Sequence, residues 1–371
     1  MKWPIPKIPA KAIISQPNYK RWFILLLTIA LAGEGLAIFP GGATSYGQAL
    51  LYGALPAVLL WLCAFGIVFY RYEQSVNAAL LWNEETERTK KHWQQWSRKQ
   101  KIVVGNVTLT PEEKGIEALL GKPANIPAYP EKARPLYADL SGLNQRLQFI
   151  SQEIEKQYPG YRHYLGKIEI QYQNSHYKKI IESAVYQQWD LYPEYPDAAE
   201  SFFANDENEC SDLKLLLCLQ DWVGHKTEGF SEFITGQLIA TEHFASQNRL
   251  PIISGVGRWL SSDSLYSALD ILSEYNRLEK EPLRYIWFSG MNTDDQAALI
   301  QYVISKRWPL FERRPLISLS HSFGPSGPLM FPVAASLLTD AAKHTGEMQL
   351  FICRDEGGMY SLCLITRELF L

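Results

Sequence analysis

Two long apolar runs near the start of the chain constrain it more than anything else in the sequence. Residues 22–39 read WFILLLTIALAGEGLAIF and residues 49–70 read ALLYGALPAVLLWLCAFGIVFY. Each is close to the ~20 residues a helix needs to cross a bilayer core. Residues 40–48 between them hold no Lys, Arg, Asp or Glu, so residues 22–72 read as a transmembrane helical hairpin. Lys2, Lys7, Lys11, Lys20 and Arg21 precede the first span and Arg71 follows the second. The positive-inside rule then puts both termini on the cytoplasmic side and leaves the turn outside. A cleaved signal peptide is the competing reading of the first run. It is disfavoured because the run is long for such a segment and no small-x-small site follows it.

Behind the hairpin lies ordinary water-soluble sequence, long enough to bury a core without staples. A net charge of −3 at pH 7 argues against a nucleic-acid binder, which carries a strongly basic domain. Cysteines stand at 63, 210, 218, 353 and 363. None has CxxC or Cys/His spacing, so no metal site or other cofactor is expected. Cys218, Cys353 and Cys363 fall inside strand-like runs, where a thiol behaves as a small core hydrophobe in a reducing compartment.

The chain divides into a basic N-terminus (1–21), the hairpin (22–72), a stem helix (73–101), a Pro-rich connector region (102–160) and a cytoplasmic domain (161–371). No Pro or Gly interrupts the stem. Its Arg88, Lys90, Lys91, Arg98, Lys99 and Lys101 suit a solvated helix or an anionic lipid surface. Within 102–160, residues 102–107 read as a strand, 110–113 (TPEE) as a helix start, 123–135 (PANIPAYPEKARP) as an extended arm, and 140–158 as a helix. Strands are then expected at 167–172, 213–219, 232–240, 250–256, 283–288, 316–320, 348–353 and 359–366. Helices are expected at 176–190, 262–278, 294–307 and 330–343, with an acidic loop at 192–212. Alternation with near-continuous apolar strands means a layered α/β domain whose sheet is covered on both faces.

The segments PIISGVG (251–257), YIWFSGMNTDD (285–295) and SLSHSFGPSG (318–327), with TEGFSEFITGQLIA (227–240) upstream, resemble in their order the thiolase-like fold of β-ketoacyl synthases. The resemblance covers residues 167–366 and rests on element order. It implies a mixed sheet covered by helices and a site where a Cys attacks a thioester while two His residues bind the oxyanion. The chain departs from that pattern. Ser289 stands where the first His belongs, only His321 lies near the second, and no Cys occurs between Cys63 and Cys210. The resemblance therefore implies a degenerate scaffold without catalysis, its residual pocket formed by Ser289, Asn292, Ser320 and His321. Segments VVGNV (103–107), LTPEEKG (109–115), IPAYP (126–130) and CLQDW (218–222), together with the hairpin, also resemble bacterial inner-membrane proteins encoded among type VI secretion genes.

Other candidates are weaker. Ser320, His321 and Asp355 suggest a hydrolase triad, but the nucleophile elbow G-x-S-x-G is absent. Residues 254–258 (SGVGR) lack the third Gly and the Lys of a phosphate loop. His225 and His243 have no second ligand at metal spacing. Asn292, Asp294 and Asp295 are explained by helix capping. In the first span Glu34, flanked by Gly33 and Gly35, either contacts another membrane subunit or lies near the outer interface and reaches headgroups. The preferred expectation is a membrane-anchored, non-catalytic accessory or adaptor protein. Its partner would be a secretion component, an effector or a second copy of itself. The alternatives are an enzyme acting on acyl thioesters or lipids, and an immunity protein against a membrane-acting toxin.

Overall fold

A computed structural model of the chain describes all residues except 1–2, 7, 40–41, 123–124, 141, 173–176, 197–211, 223–228, 282, 311–314, 356 and 371. It falls into two compact units, residues 5–93 and residues 1–4 with 94–371.

In the first unit, α1 (Tyr19–Ile38) starts where the Asn18 side chain accepts the Arg21 N–H. The returning helix opens with α2 (Tyr46–Ala49), capped by Ser45, passes through a π-helical turn at Leu50–Ala54 and continues as α3 (Leu55–Arg98). Both helices are long and apolar enough to cross a membrane. They touch where neither has a side chain: a Cβ on Gly33 would lie 2.6 Å from the Gly53 carbonyl oxygen and 2.9 Å from Ala57 Cβ. Trp61 Nε1–H donates to the Trp22 carbonyl at 3.0 Å, and the Trp61, Phe65 and Phe69 rings stack along α3. Further on, Trp82 Nε1–H donates to the Pro9 carbonyl, and the Ile14 N–H to Ser75 Oγ. The extended segment before α1 therefore lies along the stem. The stem is not a separate element. With no Pro or Gly after Gly66 to break the backbone ladder, the second span and the stem form one helix that ends at Arg98.

The second unit is built on ten strands: β1 (Lys101–Leu109), β2 (Leu165–Tyr172), β3 (Leu213–Gln220), β4 (Phe233–Ala240), β5 (Ser254–Val256), β6 (Leu260–Ser262), β7 (Leu283–Ser289), β8 (Leu316–Ser318), β9 (Met348–Arg354) and β10 (Tyr360–Thr366). They form one mixed sheet in the order β2-β3-β4-β1-β5-β10-β9-β7-β8, with β6 on β10. Two halves of the same design are visible. Parallel β2 and β3, then antiparallel β4 and β1, match parallel β7 and β9, then antiparallel β10 and β5. Antiparallel pairing of β1 with β5 joins them.

Alternate residues of the inner strands enter two different cores, which is why those strands read as continuous apolar runs. Leu215 and Leu217 of β3 join the core under α4 (Leu143–Gln157) and α5 (Lys178–Trp189), with Ile150, Ile154 and Val185. Leu216 and Cys218 face the other core. After the short α6 (Glu242–Asn248), α7 (Leu265–Asn276) and α8 (Thr293–Lys306) flank β7, and α9 (Leu319–Phe323) follows β8 directly. The core helix α10 (Met330–Thr345) buries eleven residues. Its face of Val333, Ala334, Leu337, Leu338 and Ala341 lies in the core with Cys218.

Three sequence expectations change. Residues 102–160 do not act as a connector, because β1 is a central strand between β4 and β5. The TPEE helix start is a turn followed by a 3-10 segment at Gly115–Leu119: Thr110 Oγ1 takes the Glu112 N–H, and Gly115 adopts φ +52°. Residues 250–256 form a strand only at Ser254–Val256. The hairpin of β9 and β10 is as expected, though Glu356 lies outside the described residues.

Candidate functional site

Parallel strands β7, β8 and β9 end side by side, with Phe288 paired to Ser318 and Ser289 to Cys353. In open α/β sheets the carboxyl ends of the strands are where ligands gather. Gly290 turns the chain out of β7 at φ +71°, and any Cβ there would strike the Arg354 carbonyl. Asn292 then caps α8: its side chain accepts the Asp295 N–H at 2.8 Å while Asp295 takes the Asn292 N–H. Burial works against the Asp295 carboxylate. Hydrogen bonds from the Tyr360 hydroxyl, the Asn292 N–H and Arg354 outweigh it and hold the group below the usual carboxylate range. Asn292 is thus committed to structure, as capping predicts.

The structure brings Ser289 and Ser320 together and adds Ser326, which the sequence did not single out. Their Oγ atoms form a triangle, 2.6 Å from Ser289 to Ser326, 2.8 Å from Ser320 to Ser326 and 3.1 Å from Ser289 to Ser320. Ser289 is 2% exposed. Ser318 caps α9 by accepting the His321 N–H, which fixes Ser320 at the start of the helix, and His321 is exposed. Three hydroxyls that hydrogen-bond one another offer donors and acceptors but no base to activate any of them.

The Pro-rich arm is bonded to α9 and to the residues that lead into β4. The Tyr129 N–H donates to the His321 carbonyl at 2.7 Å, and Arg134 exchanges hydrogen bonds with Ser231 and Glu232. Arg134 also lies 4.1 Å over the Tyr129 ring and pairs with Glu112. From the end of β3, Gln220 clamps the turn between Gly324 and Leu329: its amide donates to the Ser231 carbonyl and accepts the Leu329 N–H. Gly324 has φ +94°, and a Cβ there would meet the Lys132 carbonyl. Cavities of about 220 and 310 Å³ are lined by other residues, around Arg98 and Phe370.

Burial raises the three described thiols of this unit. Burial pushes Cys218 and Cys363 far above the ordinary range, with Asp221 adding to the effect at Cys218. Burial pushes Cys353 up to about 12. Cys210 and His225 lie outside the described residues. Among the described residues no cluster of His, Cys, Asp and Glu could hold a metal ion. In the first unit Gly33 is used up by the contact with Gly53, whereas beside Glu34 the space around Gly35 is open.

No family model matches the chain, and no curated protein matches it. Solved structures do. One is titled as a type II polyketide acyl-carrier protein in complex with its ketosynthase; it has a TM-score of 0.55 at 9% identity, covering 73% of this chain and 100% of that one. A β-ketoacyl synthase from Burkholderia phymatum scores 0.47 at 14% identity over 73% of this chain and 100% of its own. OleA from Xanthomonas campestris scores 0.47 at 11% identity over 72% and 99%. At these identities the likeness speaks to fold alone. The second unit of this chain has a thiolase-like fold, of the β-ketoacyl-synthase kind.

Proposed function

We propose that this chain is a membrane-anchored, non-catalytic accessory protein that uses its thiolase-like domain to bind another protein. The observation that carries this reading is the state of the strand ends. Three mutually bonded hydroxyls stand there without a base, burial raises the described thiols of that unit, and the chain's own arm bonds the helix that carries Ser320. A surface built this way is shaped for contact rather than turnover.

Location supports the same reading. Trp3, before the first apolar helix, is buried in the second unit. Its Nε1–H donates to the Trp259 carbonyl at 2.9 Å, and its ring meets Trp96 edge-on at 5.7 Å. This contact supports a hairpin that keeps its N-terminal flank and the domain behind it on one side of the membrane, the arrangement the flanking charges favour. The segment likeness to proteins encoded with type VI secretion systems favours the inner membrane of a bacterium, a cytoplasmic domain and a secretion component as partner.

Affinity purification of the full chain from solubilised membranes tests the proposal: a protein partner should be retained in stoichiometric amount. A second reading, an enzyme of acyl thioesters or lipids, draws on the hydroxyl cluster beside His321. Turnover of an acyl-CoA that disappears in His321→Ala would establish it and overturn the first.

A further inference from the structure

Resting on the membrane-hairpin reading above, we propose that hairpins of several copies of this chain associate head to tail within the bilayer, the Glu34 carboxylate of one copy accepting the Tyr52 hydroxyl of the next. Glu34 lies inside the first apolar run, short of its outer end. From Arg21 to Glu34 the helix climbs about 20 Å at ~1.5 Å per residue, and about 6 Å of helix remain before Ile38, within a hydrocarbon core of ~30 Å. Side chains lean toward a helix N-terminus, so Glu34 leans inward, away from the outer headgroups.

The close approach of Gly33 to Gly53 fixes the register of the hairpin. Glu34 lies one residue after that contact on the outward-running helix and Tyr52 one residue before it on the inward-running helix, both on the side of the turn. They therefore share one depth. A right-handed helix turns clockwise as it recedes from an observer, whichever way its chain runs, by ~100° per residue in an α-helix and by less in the π-helical turn that holds Tyr52. Starting from glycines that face each other, the same sense of turn carries Glu34 and Tyr52 to opposite faces of the hairpin. Neither side chain has a hydrogen-bond or charge partner among the described residues, and Tyr52 is 71% exposed.

A second copy is the occupant that the sequence favours. Residues 22–39 and 49–70 contain no Lys, Arg, His, Asn or Gln. Of their hydroxyl and indole donors, Thr28 bonds the Ile24 carbonyl and Trp61 the Trp22 carbonyl, while Trp22 and Tyr70 lie at the inner end. Tyr52 is thus the donor at Glu34's depth. Acceptor and donor lie on opposite faces, so the contact is heterologous. Copies sharing one bilayer are related by rotation about the membrane normal, so a heterologous contact gives a ring where that rotation closes and an open row where it does not. The open space at Gly35 allows the neighbouring helix to approach closely.

The test uses the full chain in native membranes, in a Cys63→Ser background. Differently tagged copies carrying Glu34→Cys and Tyr52→Cys are mixed and treated with a short bis-maleimide. Cross-links between positions 34 and 52 of different copies are expected at least ten-fold over 34-to-34 links. The oligomer seen by mass photometry should fall several-fold with Glu34→Gln. Dominant 34-to-34 links, a monomer, or a foreign membrane protein captured at position 34 with Tyr52→Phe copies still assembling would each overturn the proposal. Glu34→Leu lowers the cost of insertion, so loss of assembly in that variant cannot be charged to failed insertion. Release of the wild-type chain by alkaline carbonate would instead sink the membrane reading on which this proposal rests.

Discussion

Replacing Trp3 by Ala should loosen the domain by an amount that follows from its seat. A buried Trp covers about 200 Å², which at ~25 cal/mol/Å² is a gross gain of about 5 kcal/mol. The edge-on contact with Trp96 and the indole hydrogen bond to Trp259 add about 1 kcal/mol each. Against this, undocking the segment returns roughly 1–1.5 kcal/mol of backbone entropy for each of about four residues. The net expected loss is about 1–3 kcal/mol, near 2–5 °C in the melting temperature of a domain this size. Thermal unfolding of the detergent-solubilised full chain measures it. Trp3→Phe keeps the ring and forfeits the N–H donor, so its shift should be less than half as large. A Trp3→Ala melt within 1 °C of wild type would refute the reasoning, since it would mean the terminal segment contributes no net stability.

Cys218, Cys353 and Cys363 have thiols raised by burial, so native protein should leave them unlabelled by iodoacetamide at pH 7.5 and denatured protein should label all three, read by mass spectrometry. Gly324→Ala combines a left-handed backbone with a clash against Lys132 and should cost about 2 kcal/mol or more, seen as a lower denaturation midpoint. Asp295 has a carboxyl lowered in the folded state, so its contribution is present above the unfolded value of ~3.9 and is lost as pH falls through the folded one. The urea midpoint of Asp295→Asn should therefore vary less than that of wild type between pH 5 and pH 2.5.

The layered fold was legible because its signals are local and repeated. Apolar runs such as residues 213–219, bounded by helical stretches, mark strands buried on both faces, and β3 obliges by sending Leu215 and Leu216 into different cores. Short elements escaped. β6 has three residues, and α6 depends on the Thr241 cap to hold seven. Of the candidate site, Ser289, Ser320 and His321 were visible as departures from a resemblance. Ser326 was not, because nothing in a Gly-Pro-Ser-Gly turn announces that Gln220 will fold it back onto Ser289 from more than a hundred residues away. The buried network in which Asp340 takes Asn106 and Thr108 from β1 is equally long-range. No periodicity could have pulled β1 out of the expected connector and into the middle of the sheet.

The two halves of the sheet differ at their outer edges. In the second half β8 lies outside β7 and leads directly into α9, which presents Ser320 and His321 at the strand ends. In the first half, among the described residues, the corresponding place outside β2 is held by Glu194, whose N–H donates to the Ile168 carbonyl and whose carbonyl accepts the Ile170 N–H. Its carboxylate bonds Lys167 at 2.7 Å, and Lys167 with Lys214 encloses the nearly buried Glu169 at 3.0 and 2.8 Å. A buried carboxylate between two cations fixes geometry more than it adds stability, and here it pins a single backbone pair where its counterpart has a strand. A strand-to-helix elbow needs a strand to aim it. Among the described residues only the second half has one, and it delivers hydroxyls and a histidine rather than a thiolate.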